Sequence, residues 1–374
     1  MSIEFVLTRR VPLRRFDLVA TIAREEARAE LAPVLVWAKQ EVDASRRLDP
    51  VSLAQHLLGP GAGMITVAKR LLLICRDLQL VTDNFEGLTD QGVAAAKTGR
   101  VLQPDKGEWS LWTAEDPLLL FPIIGVAPRS GPQNGNEQRK RDEPRPRAEA
   151  LPDWVRDAAG QVAPMLIDGR LARFDDIAAA AIEVSTTDEL EVRWTVSDKP
   201  ELRVVGNING RHRIDQPITR GDLPDARTVW HELLASRRLD RSWDDNRQAL
   251  MIPFVAATTE DERLNMRATL EFASPTLDGV GSFRDVKVPS IRLCPDSNRA
   301  ATEWARYQIA SQVSGIQTVR VFESLTQRVR TTFAGWSVEL PSREDLARQF
   351  AGNTTHDARS RSYWAVQAAL DWNL

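Results

Sequence analysis

Residues 128–150 constrain the fold of this chain more than any other stretch, because a compact domain cannot be built through them. The segment contains four prolines, two glycines and ten charged residues, and it has no large apolar side chain. A segment of this composition cannot bury enough apolar surface to offset the entropy lost on ordering. We therefore expect a flexible, charged, Pro-rich linker at residues 128–150, with a folded part on each side of it.

The two flanking parts are long enough to fold separately. The chain has 374 residues, of which 43% are hydrophobic, an ordinary fraction for a globular protein. We predict an α+β protein with a strand and a helix in residues 1–45, a small helical domain closed by a β-ribbon in residues 46–127, and a larger α+β domain in residues 151–374. The chain has eleven tryptophans, and we expect most of them to be core residues.

The N-terminal stretch combines two patterns. Residues 2–8 alternate between apolar and polar side chains, as a strand does. Leu18 and Ile22 fall at helical spacing, and so do later apolar residues. A helix is therefore predicted across residues 17–45, with Pro33 marking a kink or a break.

Two further helices are predicted before residue 80. Asp49 or Ser52 can cap a short helix that runs to Leu58. The glycines of residues 59–63 then form a tight connection, and an amphipathic helix follows at Met64–Leu80.

The helix at Met64–Leu80 is predicted to bury one stripe and to present basic side chains elsewhere. Lys69 and Arg76 are seven residues apart, so they share one helical face, and Arg70 lies beside Lys69. The predicted buried stripe consists of Val67, Leu71, Cys75 and Leu78.

A third helix and a hairpin complete the pattern. The helix opens after Leu88 and ends at Gly99, a residue type favoured just past a helix C-terminus. Two short strands, Arg100–Gln103 and Glu108–Trp112, flank Pro104–Gly107. Because the Pro, Asp and Gly of that connection are turn formers, a hairpin is predicted there.

Three helices followed by a two-stranded ribbon are the order of a winged-helix domain. The run LTDQGVAAAKTGRV at residues 88–101 resembles the corresponding segment of many prokaryotic winged-helix proteins. In those families the preceding helix often enters the major groove of DNA. The resemblance, confined to the N-terminal half, implies that Lys69, Arg70 and Arg76 face DNA and that Lys106 lies at the wing tip.

Charge does not by itself favour nucleic acid as a ligand. Residues 1–127 carry 15 basic and 16 acidic side chains, and the whole chain has a net charge of −3. Any DNA affinity must therefore come from a local face. Many winged-helix domains bind only proteins, and the apolar stretch formed by Trp109–Trp112 and Asp116–Phe121 is either core or a docking surface. A protein-binding scaffold subunit is the first alternative to DNA binding.

Most catalytic and cofactor motifs are missing from the sequence. There is no phosphate-binding loop, the four histidines lack metal-ligand spacing, and the two cysteines are far apart. The exception is Asp285-Val286-Lys287 with Asp278 upstream, which fits the short element of an Mg²⁺-dependent nuclease. We predict no cofactor and no metal, and nuclease activity at Asp278, Asp285 and Lys287 is the second alternative.

The C-terminal part shows strand patterns first and helix signals later. A hairpin of two strands is predicted at Glu189–Val196 and Glu201–Ile208. Helices are predicted from Ser297 to about Val313, across Ile316–Phe333, and after a capping box of Ser342 and Asp345.

Together these patterns lead us to expect a non-enzymatic, DNA-associated accessory protein. Its partners are expected to be double-stranded DNA and a protein of a multi-subunit complex, in a prokaryotic defence or DNA-processing system. We expect a cytoplasmic protein without a membrane segment, because no secretory signal opens the chain and its apolar runs fall short of the roughly 20 residues that a span needs.

Overall fold

The computed structural model describes residues 3–129, 149–178, 180–352 and 360–373. Most of the predicted linker therefore lies outside the described residues. The chain forms two compact units. The N-terminal unit comprises Arg9–Arg193 and Glu201–Gly221, and the C-terminal unit comprises Met1–Thr8, Trp194–Pro200 and Asp222–Leu374.

Helices and strands are both abundant and the strands form several sheets, so the chain is a mixed α+β protein. The strands are β1 Phe5–Pro12, β2 Arg14–Ala27, β3 Arg100–Thr113, β4 Ile123–Pro128, β5 Glu149–Ala150, β6 Val162–Pro164, β7 Leu171–Ile177, β8 Ala180–Val184, β9 Glu189–Val196, β10 Glu201–Ile208, β11 His212–Ile218, β12 Trp243–Asp244, β13 Ala249–Ile252, β14 Arg267–Phe272, β15 Thr276–Leu277, β16 Gly281–Ser282 and β17 Val286–Pro295. The α-helices are α1 Ala32–Asp43, α2 Pro50–Leu53, α3 Ala62–Asp77, α4 Asp90–Thr98, α5 Asp153–Arg156, α6 Ala226–Ser236, α7 Glu260–Asn265, α8 Asn298–Gln312, α9 Val319–Thr332, α10 Arg343–Ala351 and α11 Arg361–Asp371.

Strand β2 lies at the centre of the largest sheet, whose order is β4-β3-β2-β7-β6, with β8 also paired to β2. The helix predicted across residues 17–45 is therefore wrong for its first half. Leu18 and Ile22 are four apart, which suits a helix, but with Ala20 they also form one face of a strand, and all three are buried. Only α1 in this stretch is helical, and Pro33 lies in its first turn, where a missing N–H costs nothing.

The hairpin predicted around Pro104–Gly107 is also wrong. Strand β3 runs without a turn from Arg100 to Thr113 and pairs with β2 along its whole length. Pro104 faces Ala23, in a part of β3 where β4 does not pair, so its missing N–H breaks no bond to β4. The turn-forming residues of Pro104–Gly107 therefore do not form a turn, because this segment pairs with β2.

The sheet around β2 and β3 has a continuous apolar core. Its large side chains include Phe16, Ile22, Trp109, Leu111 and Phe174, each of which is fully buried. Each such side chain contributes about 1.5–3 kcal/mol by leaving water. The strand Trp109–Trp112 thus packs into the core, as the simpler of our two interpretations of this apolar stretch predicts.

A second core lies within the same unit and unites the helices α1–α4. It runs from Leu31 to Val101 and includes Trp37, Leu53 and Leu72. We call residues 31–101 the helical module. Its last helix, α4, begins after Thr89, whose side chain caps the backbone N–H of Gly92, and it ends at a left-handed Gly99 as predicted.

The C-terminal unit is built on a sheet of order β12-β13-β17-β14, in which β13 and β17 are parallel. Helices α8 and α10 begin where the sequence predicts, whereas α9 begins at Val319 and not at the predicted Ile316. Ser297 caps α8, and Ser342 and Asp345 form the predicted capping box of α10. Trp304 on α8 is fully buried, which agrees with the expectation that tryptophans are core residues, although Trp372 is 65% exposed.

The predicted hairpin strands are confirmed with their bounds as β9 and β10, which lie in a sheet of order β1-β9-β10-β11. Alternating apolar side chains on β9, including Leu190, Val192 and Trp194, are fully buried. The period-2 pattern identified these strands because only one face of each is apolar.

Candidate interaction surface

The surface is built by a helix, a glycine turn and a second helix. Asp49 caps α2 by accepting a hydrogen bond from the backbone N–H of Ser52 at 2.9 Å. A π turn, Ala54–Leu58, continues α2. Gly59 and Gly61 then adopt φ values of 98° and 141°, which other residue types rarely adopt, and α3 starts directly after them. The glycines thus let the chain bend by 109° between the two helices.

Residues 55–67 are exposed or half-buried throughout, and they hold no Lys, Arg, Asp or Glu. Four apolar side chains of this stretch stand in solvent, with exposed fractions between 36% and 45%. They are Leu57, Met64, Ile65 and Val67. Single apolar residues on a surface need no explanation, but four of them within one short uncharged stretch make this stretch a candidate site of interaction.

The buried stripe of α3 matches the prediction at Cys75 and Leu78 and is displaced by one position at the two residues before them. Ala68, Leu72 and Cys75 face the core, whereas Val67 is 45% exposed. Leu72 and not Leu71 is fully buried, and it lies with Ala68 in the core of the helical module, where Leu71 is only partly buried. Burial also raises the pKa of the Cys75 thiol to about 12, so this cysteine is a packing residue.

Lys69 and Arg70 lie just beyond the apolar group, and both are exposed. Within the part of the chain that the structure describes, neither side chain forms an ion pair or a hydrogen bond. No aspartate or glutamate occurs between Asp49 and Asp77. The two cations therefore stand in a sequence segment whose formal charges are all positive. We call Leu57, Met64, Ile65, Val67, Lys69 and Arg70 the α3 surface.

Arg76 is held differently from Lys69 and Arg70. Its guanidinium forms an ion pair with Asp77, with 3.0 Å between Nη2 and Oδ1, and lies 5.9 Å from the centre of the Phe85 ring. Its side chain remains 38% exposed. Part of its charge is thus already neutralised, and it is a weaker candidate for a ligand contact than sequence spacing implied.

A short ribbon follows α3, at a place that the sequence interpretation missed. Val81 and Leu88 form an antiparallel bridge. The backbone N–H of Thr82 donates to the Gly87 carbonyl at 2.9 Å, and the Thr82 hydroxyl accepts from the N–H of Gly87 at 3.0 Å. The turn formers Asp83, Asn84 and Gly87 were the available signal. We call this feature the 81–88 ribbon.

Lys106 is not part of this surface. It is exposed on β3, opposite Thr21 of β2, and lies at no ribbon tip. Of the four residues proposed from sequence to contact nucleic acid, Lys69 and Arg70 are adjacent and exposed, Arg76 is partly engaged, and Lys106 belongs to a different element.

The residues of the alternative nuclease site are engaged in other contacts. The Asp285 carboxylate accepts hydrogen bonds from the backbone and the hydroxyl of Ser274, and Lys287 forms an ion pair with Glu271 at 2.5 Å. The backbone N–H of Asp278 donates to Glu232. In the described ranges no three His, Cys, Asp or Glu side chains converge as a metal site would require.

Among the described residues no single helix is long and apolar enough to cross a membrane. The helical segments Pro50–Leu58 and Ala62–Asp77 together reach the length and apolar composition of a span, but they are bent by 109° where they meet.

No protein-family model matches the chain, and no curated protein or solved structure matches it either.

Proposed function

We propose that the helical module binds duplex DNA with its α3 surface and that the chain acts as a DNA-associated accessory protein. The observation that carries this proposal is the pair Lys69 and Arg70, exposed and without ion-pair partners among the described residues, in a segment that lacks any carboxylate between Asp49 and Asp77. Cations that are not neutralised within the protein are available to replace the counterions of phosphates.

The order of elements supports a winged-helix interpretation of the module. Helices α1, α2 and α3 are followed by the 81–88 ribbon and then by α4. In this winged-helix interpretation the wing is the 81–88 ribbon and not the segment around Pro104, which the sequence pattern had indicated. Helix α3 is then the helix directly before the wing, which is the one that enters the major groove in DNA-binding members.

The remaining features of the surface are compatible with a duplex. The first turn of α3 is exposed, carries no acidic residue and has no side-chain cap, so the backbone N–H groups of Ala62 and Gly63, which precede those that donate to the Gly61 carbonyl, can meet a phosphate. Apolar side chains such as Met64 and Val67 can contact thymine methyl groups, whereas no Asn, Gln or Arg precedes Lys69 on α3. We therefore propose weak base selectivity and mainly electrostatic affinity.

Charge reversal on α3 tests the proposal. Fluorescence anisotropy with a labelled duplex at low salt is expected to detect binding by the full chain and a loss of at least tenfold in the Lys69→Glu/Arg70→Glu double variant. Lys106→Glu changes the charge on an exposed strand position away from α3, so it serves as the matched control and should leave the affinity nearly unchanged. Equal losses in both variants, or no binding by the unmodified chain, would exclude the α3 surface as a DNA site.

A protein partner is the second candidate for the same surface, and the exposed apolar group favours it. Leu57, Met64, Ile65 and Val67 are four exposed apolar side chains within a short uncharged stretch, which is more apolar surface than phosphate contacts require. In this case the Met64→Ser/Val67→Ser variant would lose a partner that the Lys69→Glu/Arg70→Glu variant retains, and the chain would show no salt-dependent DNA affinity.

A further inference from the structure

A cavity of about 400 Å³ in the C-terminal unit collects positive charge far along the sequence from α3. Three arginines line it, together with one tryptophan and an apolar floor that includes Phe333. The arginines are Arg247, Arg267 and Arg292, and the tryptophan is Trp336. This volume is within the range of small-molecule sites.

Two of these arginines face each other directly. Arg267 on β14 is the cross-strand partner of Arg292 on β17. Within the described parts of the chain, neither forms an ion pair with a carboxylate. Like charges in directly opposed positions destabilise a strand pair.

The same two strands contain a second pair of charged residues in directly opposed positions, and in that pair the charges are opposite. A few residues along, Glu271 faces Lys287, and their side chains form an ion pair at 2.5 Å. One ladder thus contains a complementary pair and a repulsive pair. The repulsion between Arg267 and Arg292 is relieved if an anion binds between them.

The third arginine is oriented towards the same cavity by its own contacts. The Arg247 guanidinium lies 4.9 Å from the centre of the Trp336 ring, and its Nε is 3.5 Å from a carboxylate oxygen of Asp244. Stacking on an indole fixes the plane of a guanidinium, which is the geometry that permits two parallel hydrogen bonds to a phosphate. Asp244 neutralises part of this charge, so the positive excess of the cavity comes from Arg267 and Arg292.

We propose that this cavity binds the terminal phosphate of a phosphate monoester, held between the guanidinium groups of Arg267 and Arg292. Such a group carries close to two negative charges near neutral pH and presents three acceptor oxygens, which matches two facing arginines. The apolar floor and Trp336 then contact the organic part of the ligand. This site is independent of the α3 surface, and it stands whether or not the helical module binds DNA.

Calorimetric titration and thermal unfolding of the full chain, at fixed ionic strength, test the site. Adenosine monophosphate at saturating concentration is expected to raise the Tm of the unmodified protein by roughly 2–4 °C or more, whereas adenosine should not. Arg267→Ala and Arg292→Ala should each lower the affinity at least tenfold. The matched control is Arg299→Ala, since Arg299 is 90% exposed on α8 and outside the cavity, and it should bind as the unmodified chain does.

A phosphorylated and an unphosphorylated single-stranded oligonucleotide separate the two sources of a terminal phosphate. If the phosphorylated strand binds with higher affinity than adenosine monophosphate, the site recognises the end of a nucleic acid. If adenosine monophosphate binds with higher affinity, the site recognises a free small molecule. The proposal is overturned if adenosine monophosphate does not bind, or if all three arginine variants bind it equally well. Without ligand, each arginine variant should have a Tm at least as high as that of the unmodified protein. A variant that meets this condition but binds the nucleotide weakly has lost a ligand contact and not its fold.

Discussion

The carboxylate of Asp116 accepts a hydrogen bond from the guanidinium of Arg9 and another, at 2.8 Å, from the backbone N–H of Leu118. The two side chains of this ion pair are only 10% and 6% exposed. The pair connects β1 to the loop after β3, two segments that are more than one hundred residues apart in sequence.

Removing one partner of this pair should be costly. Asp116→Ala leaves the buried guanidinium of Arg9 without this carboxylate, and we expect the free energy of unfolding to fall by about 3–5 kcal/mol. Urea unfolding followed by circular dichroism measures the change. The double variant Arg9→Met/Asp116→Leu removes both charges and should recover much of the loss; if it is as unstable as the single variant, the ion pair is not the cause.

The orientation of α3 can be tested by truncating two of its residues. Leu72→Ala removes a buried side chain and should destabilise the module by about 2–5 kcal/mol. Val67→Ala removes a side chain that is 45% exposed and should change stability by less than about 0.5 kcal/mol. Chemical denaturation of both variants measures these changes in the free energy of unfolding. A larger loss of stability for Val67→Ala than for Leu72→Ala would mean that the helix buries the face predicted from sequence.

The buried thiol of Cys75 predicts a loss of stability at alkaline pH. Burial raises its pKa from 9.0 to about 12, so the native state holds a proton that the unfolded state releases above pH 9. The free energy of unfolding should therefore fall with rising pH between 9 and 12, by at most about 1.4 kcal/mol per pH unit from this group. In Cys75→Ala this contribution to the slope disappears; an unchanged slope would show that Cys75 is accessible to water.

The facing arginines predict a stabilising charge reversal. Arg267→Glu places opposite charges across β14 and β17 and should raise the free energy of unfolding of the ligand-free protein by about 0.2–1 kcal/mol. Lys287→Glu in the same ladder is the converse control, since it places like charges opposite Glu271 and should lower stability. Equal effects of the same sign in the two variants would mean that cross-strand charge does not govern this ladder.

Local signals predicted the elements whose stability is local. Ser297 and the Ser342–Asp345 box mark helix starts, because a cap is a contact between residues three apart. Strands β9 and β10 followed from period-2 alternation. Elements that depend on partners distant in sequence were missed. Leu18 and Ile22 fit the spacing of a helix and also that of a strand, and only pairing with β3 and β7 makes β2 a strand.

The candidate sites divide in the same way. Lys69 and Arg70 were found from sequence because helical spacing places them away from the core. The opposition of Arg267 and Arg292 could not be found, since the register of β14 and β17 shifts between Ala268 and Leu270. A register that contains a bulge is set by packing across both strands, which no local pattern encodes.

The slope of DNA affinity against salt tests the central claim most directly. If Lys69 and Arg70 contact phosphates, the slope of log K against log[KCl] for the Lys69→Gln/Arg70→Gln variant should be shallower than that of the unmodified chain by about 1.8, or about 0.9 for each lost contact. Lys106→Gln should leave the slope unchanged. A slope that is equal in all three proteins, or an unmodified chain that does not bind DNA at low salt, would contradict the account.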